Sequence, residues 1–201
     1  MAYTLGIDVG TGGTRALIVD DQGRVIASAT EEHAPFASPQ IGWAEQHPDD
    51  WWRACGIATK GALAKAKLHG DDIVCVGFSG QMHGAVMLDG AGKVVRPALI
   101  WCDVRTGDQC REITEKIGAD KLIQLTCNPA LANFTVTKFL WVREHEPKNW
   151  ERVRYVMLPK DYVRFRMTGE RAIDMADASG TLLLDVAQRR WSTEVAKAMG
   201  I

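Results

Sequence analysis

Asp8-Val9-Gly10-Thr11-Gly12-Gly13-Thr14-Arg15 lies between two short apolar runs, Tyr3 to Val9 before it and Arg15 to Val19 after it. The spacing reads as strand, tight turn, strand, and so tight a connection makes the pair antiparallel rather than the start of a β-α-β unit. The three glycines let backbone amides turn toward an anion without side-chain obstruction. Thr11 and Thr14 add hydroxyl donors, and Asp8 is placed to accept hydrogen bonds from the waters around a magnesium ion. The stretch lacks the lysine of a P-loop, and its strand-turn-strand setting does not suit a dinucleotide fingerprint. Taken alone, an ordinary hairpin turn would account for the same residues.

Outward from the loop, Asp20, Asp21, Gln22 and Gly23 predict a second turn and Arg24 to Ala29 a third strand. A proline-rich loop from Pro35 to Pro48 leads into a helix, with Pro48 in its first turn and Asp49 and Asp50 beside the free amides. Trp51, Cys55, Ala58 and Ala62 fall on one face of that helix, Arg53 and Lys60 on others, and Gly70 marks the stop region. Ile73 to Phe78 is an apolar run of the kind shielded on both faces by helices, joined to the first strand through a β-α-β path. Ala85 to Leu88 and Lys93 to Val95 predict a hairpin around Asp89-Gly90-Ala91-Gly92. Helical patterns follow over Asp108 to Ile117, Asp120 to Leu125 and Thr135 to His145, the last with Val136, Phe139 and Leu140 on one face and Pro147 as its break. Val153 to Leu158 reads as a strand, and Pro159 to Met167 as a helix closed by Gly169. A last helical stretch, Trp191 to Met199, runs into Gly200 and Ile201, which is expected of an interrupted chain more than of a finished architecture.

Ser79-Gly80-Gln81-Met82-His83-Gly84 sets two polar side chains and a thioether between glycines. Gln81 and His83 can serve sugar hydroxyls while Met82 offers the carbon skeleton an apolar surface. Trp101, Asp103 and Arg105 repeat the combination of ring, acceptor and donor. A core methionine, a structurally bonded histidine and a surface Asp103–Arg105 pair are the competing readings. Lys160 and Asp161 read as the start of a helix, and Asp174 and Asp177 as anchors of a tight connection.

Composition narrows the class. With 24 Lys+Arg against 25 Asp+Glu in 201 residues, no basic field is available for nucleic acid. The 5 cysteines are an odd number without a C-x-x-C pair, so neither a disulfide framework nor a zinc site is indicated. No apolar run approaches the ~20 residues of a membrane-spanning helix, and the expected location is the cytoplasm.

The loop at Asp8 to Arg15, the block Ser79 to Gly84, Pro97-Ala98-Leu99-Ile100-Trp101-Cys102-Asp103-Val104-Arg105, Leu158-Pro159-Lys160-Asp161-Tyr162 and Asp174-Met175-Ala176-Asp177-Ala178-Ser179-Gly180-Thr181 occur in an order that resembles the N-terminal domain of the FGGY carbohydrate kinases. The resemblance spans nearly the whole chain. It implies an α/β fold of the ribonuclease-H-like actin, hexokinase and heat-shock ATPase superfamily, with a mixed sheet flanked by helices, forming one domain over residues 1–201. It also implies ATP and Mg²⁺ as cofactors, and phosphorylation of D-xylulose to D-xylulose 5-phosphate by the complete protein. Asp8 would lie near the magnesium, through water, with Gly10, Thr11, Gly12, Gly13 and Thr14 around the phosphate. Gln81, Met82, His83, Trp101, Asp103 and Arg105 would serve the sugar. Cys102 departs from the asparagine usual in the family and puts an amide contact there in doubt. The general-base aspartate belongs to a second, nucleotide-binding domain beyond Ile201, so the chain alone is expected to turn over weakly or not at all. The partners implied are D-xylulose or a related sugar and that C-terminal kinase domain; a homodimer is left open, and neither nucleic acid nor membrane is expected. A kinase for L-ribulose, gluconate or glycerol, or a noncatalytic sugar-binding module, are the alternatives.

Overall fold

The computed structural model describes residues 2–201. In chain order the elements are β1 (Tyr3–Val9), β2 (Gly13–Asp20), β3 (Val25–Glu32), β4 (Glu45–Gln46), α1 (Pro48–Ala66), β5 (Ile73–Gly80), β6 (Val86–Leu88), β7 (Ala98–Leu99), α2 (Gly107–Ile117) and α3 (Ala119–Thr126). There follow α4 (Thr135–His145), α5 (Pro147–Trp150), β8 (Tyr155–Met157), α6 (Pro159–Thr168), α7 (Met175–Ser179), β9 (Leu184–Asp185), β10 (Arg190–Trp191) and α8 (Thr193–Met199). By backbone contacts the chain forms two compact units. One is built from the chain through Pro35, His47–Gln81 and Pro159–Arg171, the other from Phe36–Gln46, Met82–Leu158 and Ala172–Ile201.

The first unit holds a mixed four-stranded sheet in the order β3-β2-β1-β5, antiparallel except for β1 and β5. Alternation dictates its covered face: Leu5, Ile7 and Val9 of β1 and Ala16 and Ile18 of β2 are buried, while Asp8 is exposed. Helix α1 lays the expected stripe of Trp51, Cys55, Ala58 and Ala62 inward together with Ala54, and Trp51 is fully buried. Burial of a side chain that large contributes roughly 3 kcal/mol or more. The turn after β2 is held by Asp20, whose Oδ1 accepts the amides of Gln22 and Arg24 at 2.9 Å each.

Two expectations here are corrected. Helix α1 stops at Ala66 with Lys67, not a glycine, in the left-handed conformation at φ 57°. Strand β5 is parallel to β1 as its sequence implies, yet none of its residues is buried and Val74 is 67% exposed. It is an edge strand paired only with β1, so its apolar run describes a surface these residues leave uncovered.

The second unit packs helices around short strand pairs. Its core joins Met87, Leu99, Ile113, Leu122, Leu140 and Leu182 with residues of α8. The hairpin expected after Leu88 is present but short, an antiparallel bridge between Leu88 and Val94 flanked by the Asp89 amide on the Lys93 carbonyl and the Val95 amide on the Met87 carbonyl, both at 2.9 Å, and β6 pairs also with β8. Helix α4 is buried on every face from Thr135 to Val142, so the one apolar face read from its sequence understates how deeply it sits. Among the described residues no helix is long and apolar enough to cross a membrane.

Candidate functional site

The loop between β1 and β2 is fixed from below by backbone contacts. The Gly10 amide donates to the Gly13 carbonyl at 3.0 Å, and a Cβ on Gly13 would lie 2.7 Å from the Glu31 carbonyl oxygen. Only glycine at 13 lets β3 approach this closely. Gly12, in contrast, has no atom within 4 Å of where its Cβ would be. Asp8, exposed between Arg15 of β2 and Ser79 of β5, is the penultimate residue of the first strand, shortly before this open point. The residues fit a hydrated magnesium ion carried by phosphate: one exposed carboxylate beside an open glycine turn is the usual protein share of such a site. Two expected contributors are turned elsewhere. Thr14 is fully buried with its hydroxyl 2.8 Å from His33 Nε2, so it braces the loop. Gln81 is 5% exposed, donates its amide to the Gly10 carbonyl at 3.2 Å, and bonds Val9 through its backbone. It supports the loop from beneath.

Of the expected sugar contacts in the second unit, Met82 and Trp101 are exposed apolar side chains, at 46% and 43%. Ala85 and Leu99 form an antiparallel bridge, so Met82-His83-Gly84 and Trp101-Cys102 leave the same end of it. His83 sits in the left-handed region at φ 63°, uncommon for a side chain of its size. Its carbonyl accepts the Thr135 hydroxyl at 3.3 Å, its ring meets Phe134 edge-on at 4.9 Å, and its Nδ1 lies 3.2 Å from the Gly180 carbonyl oxygen. A carbonyl only accepts, so Nδ1 carries the proton and Nε2 is left as an acceptor. Burial first, and the Lys138 ammonium second, hold His83 below the usual histidine range and so keep it neutral. A neutral imidazole with a fixed acceptor nitrogen is suited to receive a hydroxyl hydrogen bond. Gly180, Phe134 and Thr135 escaped the sequence reading; the only signal was the quoted segment Asp174 to Thr181, read there as a connection. Asp174 does cap α7, accepting the Asp177 amide at 3.0 Å.

Asp103 and Arg105, expected at the sugar, are not surface groups. Asp103 is fully buried, takes the Ala44 amide at 2.7 Å and binds Arg105 through both oxygens, at 3.0 Å to Nε and 2.6 Å to Nη2. The Arg105 guanidinium lies 3.6 Å from the centre of a Trp43 ring and reaches Glu45 at 2.8 Å. Glu45 continues to Arg96 and Arg96 to Glu146. With its carboxylate committed to this network, Asp103 has no geometry for a sugar hydroxyl, and Arg105 is equally enclosed. Both are corrected to structural roles.

Lys138 of α4 is fully buried, and its ammonium donates to the carbonyls of Asn133 and Phe134. Burial pushes it down to about 7, against a smaller opposing pull from Asp103. Between about 7 and its ordinary 10.5 the unfolded chain holds the proton and the folded chain does not. Stability from this group therefore rises with pH across that window and is lowest below it. At about 1.4 kcal/mol per pKa unit the upper bound is on the order of 5 kcal/mol. Urea denaturation of wild type and Lys138→Met from pH 7 to 10 is expected to show a slope in the wild type that the variant lacks.

The sequence profile of the "FGGY family of carbohydrate kinases, N-terminal domain" matches residues 3–201. The chain belongs to this family. As an FGGY domain it is 41% identical over 201 residues to a xylulose kinase of Lactococcus lactis, covering all of this chain and 40% of that protein. It is 44% identical over 194 residues to a xylulose kinase of Klebsiella pneumoniae, covering 96% of this chain and 39% of the relative. A crystal structure described as a "xyloylose kinase" from Brucella ovis superposes with a TM-score of 0.90 at 38% identity, covering 99% of this chain and 41% of that one. The FGGY domain described here thus spans about 40% of the length of the relatives it matches.

Proposed function

We propose that the full-length protein transfers the terminal phosphoryl group of ATP to D-xylulose, giving D-xylulose 5-phosphate, and that these 201 residues supply sugar recognition and the first phosphate loop. The observation that carries this reading is His83: neutral, with its acceptor nitrogen fixed by Gly180, in a chain 41% to 44% identical to xylulose kinases. Met82 and Trp101 give the sugar's carbon faces apolar surface beside it. The contacts beneath Gly10 and Gly13 hold the loop rigid, so its amides need not reorganise as charge develops on the transferring group. Asp8 would hold a magnesium ion through water, and bound Mg²⁺ would offset phosphate charge. The base that takes the sugar proton is assigned to the remainder of the protein.

The test is a panel of acceptors given to the full-length protein with ATP and Mg²⁺: D-xylulose, L-ribulose, gluconate and glycerol. D-xylulose is expected to have the highest kcat/KM, by about tenfold or more over acceptors lacking a matching hydroxyl. A higher value for one of the others would reassign the substrate, and saturable D-xylulose binding without transfer would make the protein a binding module.

A further inference from the structure

We propose that His33 is a positioning residue for the phosphate loop, holding Thr11 to Thr14 through three hydrogen bonds in one fixed tautomer. The inference rests on the reading of that loop as the phosphate-side element of the kinase. His33 follows directly on β3 and is 8% exposed. Its amide donates to the Gly12 carbonyl at 3.0 Å, its Nδ1 lies 3.3 Å from the Thr11 carbonyl oxygen, and its Nε2 lies 2.8 Å from the Thr14 hydroxyl. The Thr11 carbonyl can only accept, so Nδ1 carries the proton; Nε2 is then an acceptor, and the Thr14 hydroxyl must donate to it. One ring thereby fixes both ends of a turn whose middle residue, Gly12, stands in open space. The consequence for chemistry is specific. The Thr14 proton is committed inward, and the backbone carbonyls of Thr11 and Gly12 are drawn toward His33, so the loop is held in one conformation before any phosphate arrives.

Burial keeps the ring neutral against most of its neighbours. Burial lowers the affinity of His33 for a proton; the Thr11 carbonyl, Asp50 of α1 and Glu31 of β3 oppose this, and Arg53 of α1 adds to it. Arg53 itself pairs with Glu31 at 2.6 Å and Asp50 at 2.8 Å, which blunts the pull of both carboxylates. Protonation would make Nε2 a donor and reverse the bond to Thr14.

The test compares wild-type full-length protein with His33→Leu, which keeps the bulk, and His33→Gln, which restores one side-chain bond. His33→Leu is expected to raise the KM for MgATP roughly tenfold, the loss of one to two hydrogen bonds, with the KM for sugar unchanged. His33→Gln should recover part of that loss. The variant-to-wild-type ratio should fall toward one only at a pH below the range in which an ordinary histidine protonates, because burial lowers the affinity of His33 for a proton. Nitrogen-15 shifts of the wild-type ring should report Nδ1–H and a bare Nε2, and the His33 amide should exchange faster in His33→Leu than its counterpart does in His33→Gln. An Nε2–H tautomer, or His33→Leu with wild-type MgATP KM and pH profile, would overturn the proposal. If the wild type phosphorylates no sugar, the kinase reading fails while the tautomer and exchange measurements still decide the role of His33.

Discussion

Gly180→Ala is expected to weaken D-xylulose binding by on the order of a hundredfold without unfolding the domain, the scale at which a displacement of about 1 Å acts on a positioned group. Gly180 has ordinary helical backbone angles, φ −72° and ψ −1°, so alanine costs nothing in conformation there. The added Cβ would instead lie 2.5 Å from both Cε1 and Nδ1 of His83. The ring is bounded on another side by Phe134, and its backbone is already in the left-handed region, so it has little room to yield. It must tilt, losing the bond that fixes its tautomer. Titration calorimetry checks this, and a double-mutant cycle isolates the cause: in a His83→Ala background, Gly180→Ala should add little. An equal loss in both backgrounds would mean that Gly180 acts by some route other than His83.

Asp103→Ala is expected to cost about 3–5 kcal/mol in urea denaturation, because it strands a buried guanidinium. Arg105 has 1% side-chain exposure and would retain only Glu45 among its two carboxylate partners. The Ala44 amide would lose its acceptor as well. The ion pair as a whole need not be stabilising, since desolvation of two charges offsets most of their attraction. The companion prediction follows: Asp103→Leu combined with Arg105→Met should be much less damaging than Asp103→Ala alone, and a strictly additive double variant would contradict the network described here.

These two sites show where the sequence was legible and where it was not. The hairpin around Gly10 to Thr14 and the stripe of α1 depend on neighbours three to seven residues away, and local alternation captures such contacts. Strand β5 was read correctly as a strand but not in its burial, which is set by whatever covers its two faces and not by its own residues. Asp103 and Arg105 have the composition of a sugar contact. Only the fold reveals that a backbone amide 59 residues away and two tryptophans consume them. His83 was singled out by residue type, yet the group that sets its tautomer lies 97 residues further along the chain. Glycine next to an unremarkable helix gives no sign of that. His33 went unnoticed for the same reason: nothing in its flanking sequence announces contacts to Thr11, Gly12 and Thr14.

The central claim, that this domain recognises a sugar through a neutral His83, is tested most directly by titrating D-xylulose into the nitrogen-15-labelled full-length protein without nucleotide. The account predicts a saturable shift of the His83 Nε2 resonance with D-xylulose, with Nδ1 remaining protonated throughout. Saturable binding that leaves His83 unmoved, or the absence of binding while glycerol or gluconate binds, would contradict it.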